Sequence, residues 1–143
     1  MSQVSLWNLL IGFFVIFLAA CAGVFLADDM TSHYVYQHTQ VLSWELVIIK
    51  SAHSHTNSFG VLHILLGLTL PYSRVSATIK VFQTVALGLG TVAMSVLMML
   101  KSQSPAVMGY DGLGTLIGIC LSATFICILS HCYGLALRLR ALG

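Results

Sequence analysis

Six histidines stand in a chain of 143 residues that is otherwise nearly uncharged: His33, His38, His53, His55, His63 and His131. Neutral imidazole is the commonest metal ligand in proteins. The densest group is Ser51-Ala-His-Ser-His-Thr-Asn57. Residues two apart on a helix point about 200° apart, because a turn takes 3.6 residues. His53 and His55 therefore face nearly opposite sides and ligate different things rather than chelating one ion. Asn57 is one turn beyond His53 on its face and can orient it, or its ligand, by a hydrogen bond. A polar helix end wetted by water is the plain alternative.

His63 is eight residues before Pro71, and His131 seven before Arg138. At 1.5 Å per residue the two lie at about the same depth on different helices, which is what bis-imidazole haem ligation needs. They can equally bond each other, a carbonyl or Ser130. His33 and His38 share an outer loop with Asp28 and Asp29. With His53 and His55 they make a candidate zinc or copper site, since carboxylates and imidazoles suit borderline cations. Met94 and Met98 are one turn apart, a soft-metal spacing, but they read better as core filler. Cys21, Cys120, Cys127 and Cys132 all lie in apolar runs and form no C-x-x-C pair, so they read as small buried hydrophobes. No nucleophile with a base and an orienting partner is visible, and there is no phosphate-binding glycine loop. Whether the chain is an enzyme stays open.

The elements that hold these residues follow from composition. Charged residues are 7% and hydrophobic residues 58%, with a mean hydropathy of +0.96. Soluble domains carry about 25% charge, so lipid must be the solvent. The net charge of +2 and the lack of a basic run exclude a nucleic-acid binder. A span needs roughly 20 apolar residues, and four are expected, at about 6–27, 42–70, 76–100 and 113–137. The first is too long, and too poor in N-terminal charge, for a signal peptide. Short connections after Pro71 and around Pro105 imply antiparallel neighbours. The expected fold is an all-α integral membrane protein, one four-helix up-down bundle over 1–143. Arg74, Lys80, Arg138 and Arg140 fall on one side, the acidic residues on the other. Basic residues stay inside, so both termini are expected in the cytoplasm and loops 28–50 and 101–112 outside, in a bacterial inner membrane. Gly114-x-x-x-Gly118 suggests a close helix contact. Tyr34, Tyr36 and Trp44 suit the aromatic belt.

The stretch His53-Ser-His55-Thr-Asn57-Ser-Phe-Gly60 resembles the H-A-H-x-N-x-x-G signature of small four-helix bacterial membrane proteins that are similar to subunit I of haem–copper oxidases. In the larger subunit an H-x-H helix ligates two haems on opposite faces. Ser54 stands where the signature has Ala, and Ser58-Phe59 replaces the usual Leu-Leu. The resemblance implies haem b held by His53 and His55, and a function in electron transfer or in diatomic gas binding or reduction. The His-Pro-Glu and His-His motifs of a copper centre are absent. The large subunit arranges twelve helices in three arcs of four, so the resemblance also implies a homo-oligomer, with a homotrimer as its simplest form. A redox partner goes with that reading. Two other readings compete: an outer-face copper or zinc protein, and a non-catalytic membrane subunit or carrier whose histidines are structural.

Overall fold

The computed structural model describes residues 1–36, 43–104 and 111–143, and all regular structure among them is helical. The helices are α1 (Gln3–Tyr36), α2 (Trp44–Thr69), α3 (Ala77–Ser102) and α4 (Gly112–Arg140). Three of them, α1, α3 and α4, are long and apolar enough to cross a membrane. The second is long enough, but Lys50, His53, His55, Asn57 and His63 dilute its apolar run.

Local chemistry sets the ends. Ser43 caps α2 by accepting from Leu46 N at 3.2 Å, Ser76 caps α3 from Ile79 N at 3.3 Å, and Asp111 caps α4 from Leu113 N at 3.1 Å. Each satisfies an N–H that the first turn leaves free. Pro71 sits in a 3₁₀ turn, Leu70–Tyr72, that closes α2. The helix α1 does not stop at Asp28, as the expected loop 28–50 required. It runs on to Tyr36, and α2 already begins at Trp44. Neither Gly nor Pro interrupts 25–36, and a helix satisfies its own backbone in water as well as in lipid. Its 34 residues span about 50 Å, well beyond an apolar core of roughly 30 Å.

The main seams pair α1 with α2 and α3 with α4. In the first, Gly67 lies on the Ser5 carbonyl, Gly12 on Gly60 and Ile64, and Gly23 on His53, an antiparallel register. A Cβ on Gly12 would stand 2.7 Å from Gly60 O, so glycine is what lets the backbones meet. In the second seam, Gly90 packs on Thr124 and Phe59. Gly114 meets only its own cap Asp111, and Gly118 has open space; the expected contact at that pair is absent. The interior is Phe59, Leu66, Leu70, Ala86, Leu87, Ala93, Met94, Ile117 and Cys127. Among the cysteines only Cys127 is buried, while Cys21 and Cys132 are exposed on the helix surface. Cys21 lies on the lipid-facing side of α1, and Cys132 on the open rim of a groove between α2 and α4.

One irregularity matters for the site. Residues Ala93–Leu97 of α3 form a π-turn, with the Met98 N–H bonded to Ala93 O, five residues back. Such turns are frequent at functional positions.

Candidate functional site

The halves of α1, α2 and α3 remote from the chain termini enclose a cavity of about 550 Å³. Its walls are apolar: Leu18, Ala22, Phe25, Ile49, Val96 and Met99 among them. The π-turn carries Ser95 and Val96 into the wall together with Thr91 and Met99 of the same helix. Its size is that of small-molecule and cofactor sites, about 300–1,000 Å³.

His53 lines this cavity. Its ring lies in the notch left by Gly23 of α1, where a Cβ would stand 2.9 Å from Cε1. The Asn57 amide nitrogen donates to His53 O at 3.2 Å and reaches Nε2 at 3.3 Å. An amide nitrogen offers only hydrogens, so Nε2 presents its lone pair and Nδ1 carries the proton. Nδ1 is buried and has no partner. His53 is thus a neutral imidazole with one nitrogen unmatched and the other weakly engaged. His55 points away from the cavity and is exposed.

The other polar groups around the cavity share one property. Thr56 gives its hydroxyl hydrogen to Ala52 O at 2.7 Å, and Ser95 gives its own to Thr91 O at 2.7 Å. Thr91 lies 3.0 Å from Leu87 O and 3.1 Å from His63 Nε2. Asp29 at the mouth is a carboxylate. All four offer oxygen lone pairs to the cavity.

His63 is fully buried behind Thr91. The Asn8 amide nitrogen donates to Val4 O at 2.9 Å and to Thr84 Oγ at 2.7 Å. Asn8 Oδ1 therefore accepts from His63 Nδ1–H at 2.9 Å, and the neutral ring accepts the Thr91 hydroxyl at Nε2. Both nitrogens are used, and the ring ties α1 to α2 and α3. His131 bonds elsewhere: its Nε2 is 2.8 Å from Thr69 Oγ. The structure gives the two deep histidines separate partners and no shared one. Ser130 bonds Gln83, at 2.6 Å, and not His131.

The expected group of carboxylates and imidazoles is dispersed. Asp29, His33 and Glu45 line a second, polar cavity of about 360 Å³ between the end of α1 and the start of α2. Asp28 is exposed and lines neither cavity. Among the described residues no three His, Cys, Asp or Glu side chains are placed to hold a metal ion. His38 lies outside the described residues. At the α3–α4 connection Lys101 pairs with Asp111. The Lys101 hydrogen bond, with the Gly114 N–H, holds the Asp111 carboxyl below its usual range.

Sequence reasoning did not find Asn8, Gly23, Gln83 or Thr91 as site residues, and it placed Asp29 in a metal-binding loop rather than at the His53 cavity. Asn8 and Gln83 carried a usable signal, a lone amide inside an apolar span, which is costly unless it faces the interior. Gly23 carried none. Searches against family models, curated proteins and solved structures found no match to this chain.

Proposed function

We propose that the chain is a haem b-binding integral membrane protein that carries electrons, with His53 as the residue that would hold the haem iron. The observation that carries this is the neutral His53 imidazole, whose Nε2 lone pair is held only by a long 3.3 Å contact to the Asn57 amide, in the wall of a cofactor-sized apolar cavity. The resemblance of His53–Gly60 to the H-x-H helix of haem proteins supports the same reading.

The residues suit the group. Apolar walls exclude water from a porphyrin face, Gly23 makes room for the ring, and Asn57 sets its rotation without spending its backbone bond. Asp29 at the mouth is the lining residue that does not suit haem carboxylates. Bound haem would supply reversible one-electron chemistry, tuned by its axial imidazole and by burial. Thr56, Thr91 and Ser95 turn lone pairs toward the cavity, and a pocket poor in hydrogen-bond donors supports electron transfer over diatomic gas activation.

In this reading α2 crosses the membrane as the fourth span despite its polarity, because its histidines face protein on one side. The helices run up and down, both termini are cytoplasmic, and the His53 cavity opens toward the outer half. His55, on the opposite face of α2, is left for a second copy. A homo-oligomer, a homotrimer in its simplest form, would give it a partner.

The test is an oxidised and a dithionite-reduced optical spectrum of protein expressed with haem supplied. A stoichiometric Soret band that disappears in His53→Ala and survives in His63→Gln is expected. A colourless wild type, or an unchanged band in His53→Ala, refutes the assignment.

A further inference from the structure

A second imidazole stands at a second groove, on the inner half of the molecule. The groove lies between α2 and α4, has a volume of about 110 Å³, and is lined by Leu62, Leu65, Leu66 and Thr69 on one side and Cys127, Ile128, His131 and Cys132 on the other. Leu87 of α3 also lines it. Leu66, Leu87 and Cys127 are buried, while Leu65, Ile128 and Cys132 are exposed. The groove is therefore open on the surface that meets lipid when α4 spans the membrane.

Proton accounting fixes what His131 offers there. Thr69 Oγ lies 2.6 Å from Leu65 O. Two oxygens at that distance must share a hydrogen, so the Thr69 hydroxyl donates to Leu65 O and cannot also donate to His131. The 2.8 Å contact to His131 is then Nε2–H donating to Thr69 Oγ. In the neutral ring Nδ1 is left as a bare lone pair, and it is buried with no partner. Cys127 cannot serve it, because its thiol hydrogen goes to Gln83 O at 3.2 Å. A buried acceptor without a donor costs free energy. Acyl chains bring no donor. The charged group near the ring is Lys80, one turn into α3.

We propose that this groove docks the ring of a lipid-soluble quinol, whose hydroxyl donates to His131 Nδ1. The occupant must arrive through lipid, be flat and apolar enough for a slot of Leu and Ile side chains, and bring its own O–H. The groove takes the hydroxyl-bearing edge of one ring, with the rest of the ring and any tail left in the lipid. Choosing a redox-active ring over another phenol rests on the electron-transfer reading; the hydrogen bond does not. His131 lies about 10 Å along α4 from Arg138, so the site is near the inner face, on the other half from His53.

Cys132 reports occupancy, since it lines the groove and is exposed. The experiment follows the rate at which maleimide labels Cys132 in the full chain, under argon, with decylubiquinol or decylubiquinone added. Both rings are fully substituted, and they differ in the O–H groups. Cys21, exposed on α1, is the internal control. Decylubiquinol should slow Cys132 labelling about fivefold relative to decylubiquinone, the factor that one net hydrogen bond contributes. The difference should vanish in His131→Phe. In Thr69→Val the ring is free to present N–H instead, and the quinone should then protect as well. Equal protection by both forms, no protection by the quinol, or protection that persists in His131→Phe overturns the proposal. So does protection that emerges only in Lys80→Met, which would make the lysine the natural partner of Nδ1. A Soret band recorded on the same sample keeps a failure here separate from a failure of the haem assignment.

Discussion

His53 and His63 lie ten residues apart on one helix and have opposite fates. His63 is closed off: both nitrogens are bonded, and three helices meet on it. His53 lines open volume, with a long contact at Nε2 and a buried, unpaired Nδ1. The difference arises from how α1 and α3 meet. In the half near the chain termini Asn8 reaches Thr84 and draws the two helices together. In the half remote from them they line a cavity between them. A histidine placed where three helices converge becomes structure, and one placed where they diverge is available for a ligand.

Replacement of the two histidines should therefore separate stability from binding. His63→Ala removes two hydrogen bonds, strands Asn8 Oδ1 and leaves a void, for a loss of about 3 kcal/mol in detergent unfolding. His53→Ala should cost less than about 1 kcal/mol, since it strands no fully buried partner, yet remove the Soret band. Comparable losses in the two variants would erase the distinction drawn here.

The glycines sharpen it. Gly12→Val drives a side chain onto the Gly60 carbonyl and Ile64 and should destabilise by about 2–3 kcal/mol, the range of overpacking. Gly23→Val meets only the His53 ring. It should leave the unfolding midpoint nearly unchanged while weakening haem retention, measured by transfer to apomyoglobin. Asn57→Ala has a smaller effect of the same kind: the ring stays but rotates more freely, which should broaden the ferric electron paramagnetic resonance signal.

The weakest effect is at the surface. Asp111 has its pKa lowered in the folded state, chiefly by the Lys101 hydrogen bond. Its contribution to stability is present above the unfolded pKa, roughly 3.9, and is lost as pH falls through the lower folded value. Wild type should thus lose a little stability below about pH 4 that Lys101→Met does not. Thermal unfolding of the two proteins across that range reads the difference.

Much of the architecture was legible in the sequence. Apolar runs gave the helices α1, α3 and α4, and Pro71 and Ser76 marked the turn between α2 and α3. The helical end of α1 was not legible, because polar residues mark the edge of lipid and not the edge of a helix. The H-x-H spacing gave the opposed directions of His53 and His55. It could not give their surroundings, which depend on Gly23 of another helix and on the divergence of α1 from α3. Depth arithmetic put His63 and His131 at one level, but rotation about each helix axis decided their partners, and spacing from one end leaves that rotation open.

The π-turn in α3 is equivalent to one residue inserted into a regular helix. Each residue of an α-helix advances the direction of its side chain by about 100°. Drawing 93–97 into a regular α-helix at unchanged length would turn everything beyond it by about that angle, relative to the half anchored by Thr84 and Thr91. Thr91 and Met99, eight residues apart, would then stand about 80° apart, and the wall of the cavity would be rebuilt without any change in composition. The site thus depends on the count of residues between two points of one helix as much as on their identity, and point substitutions alone would not reveal that dependence.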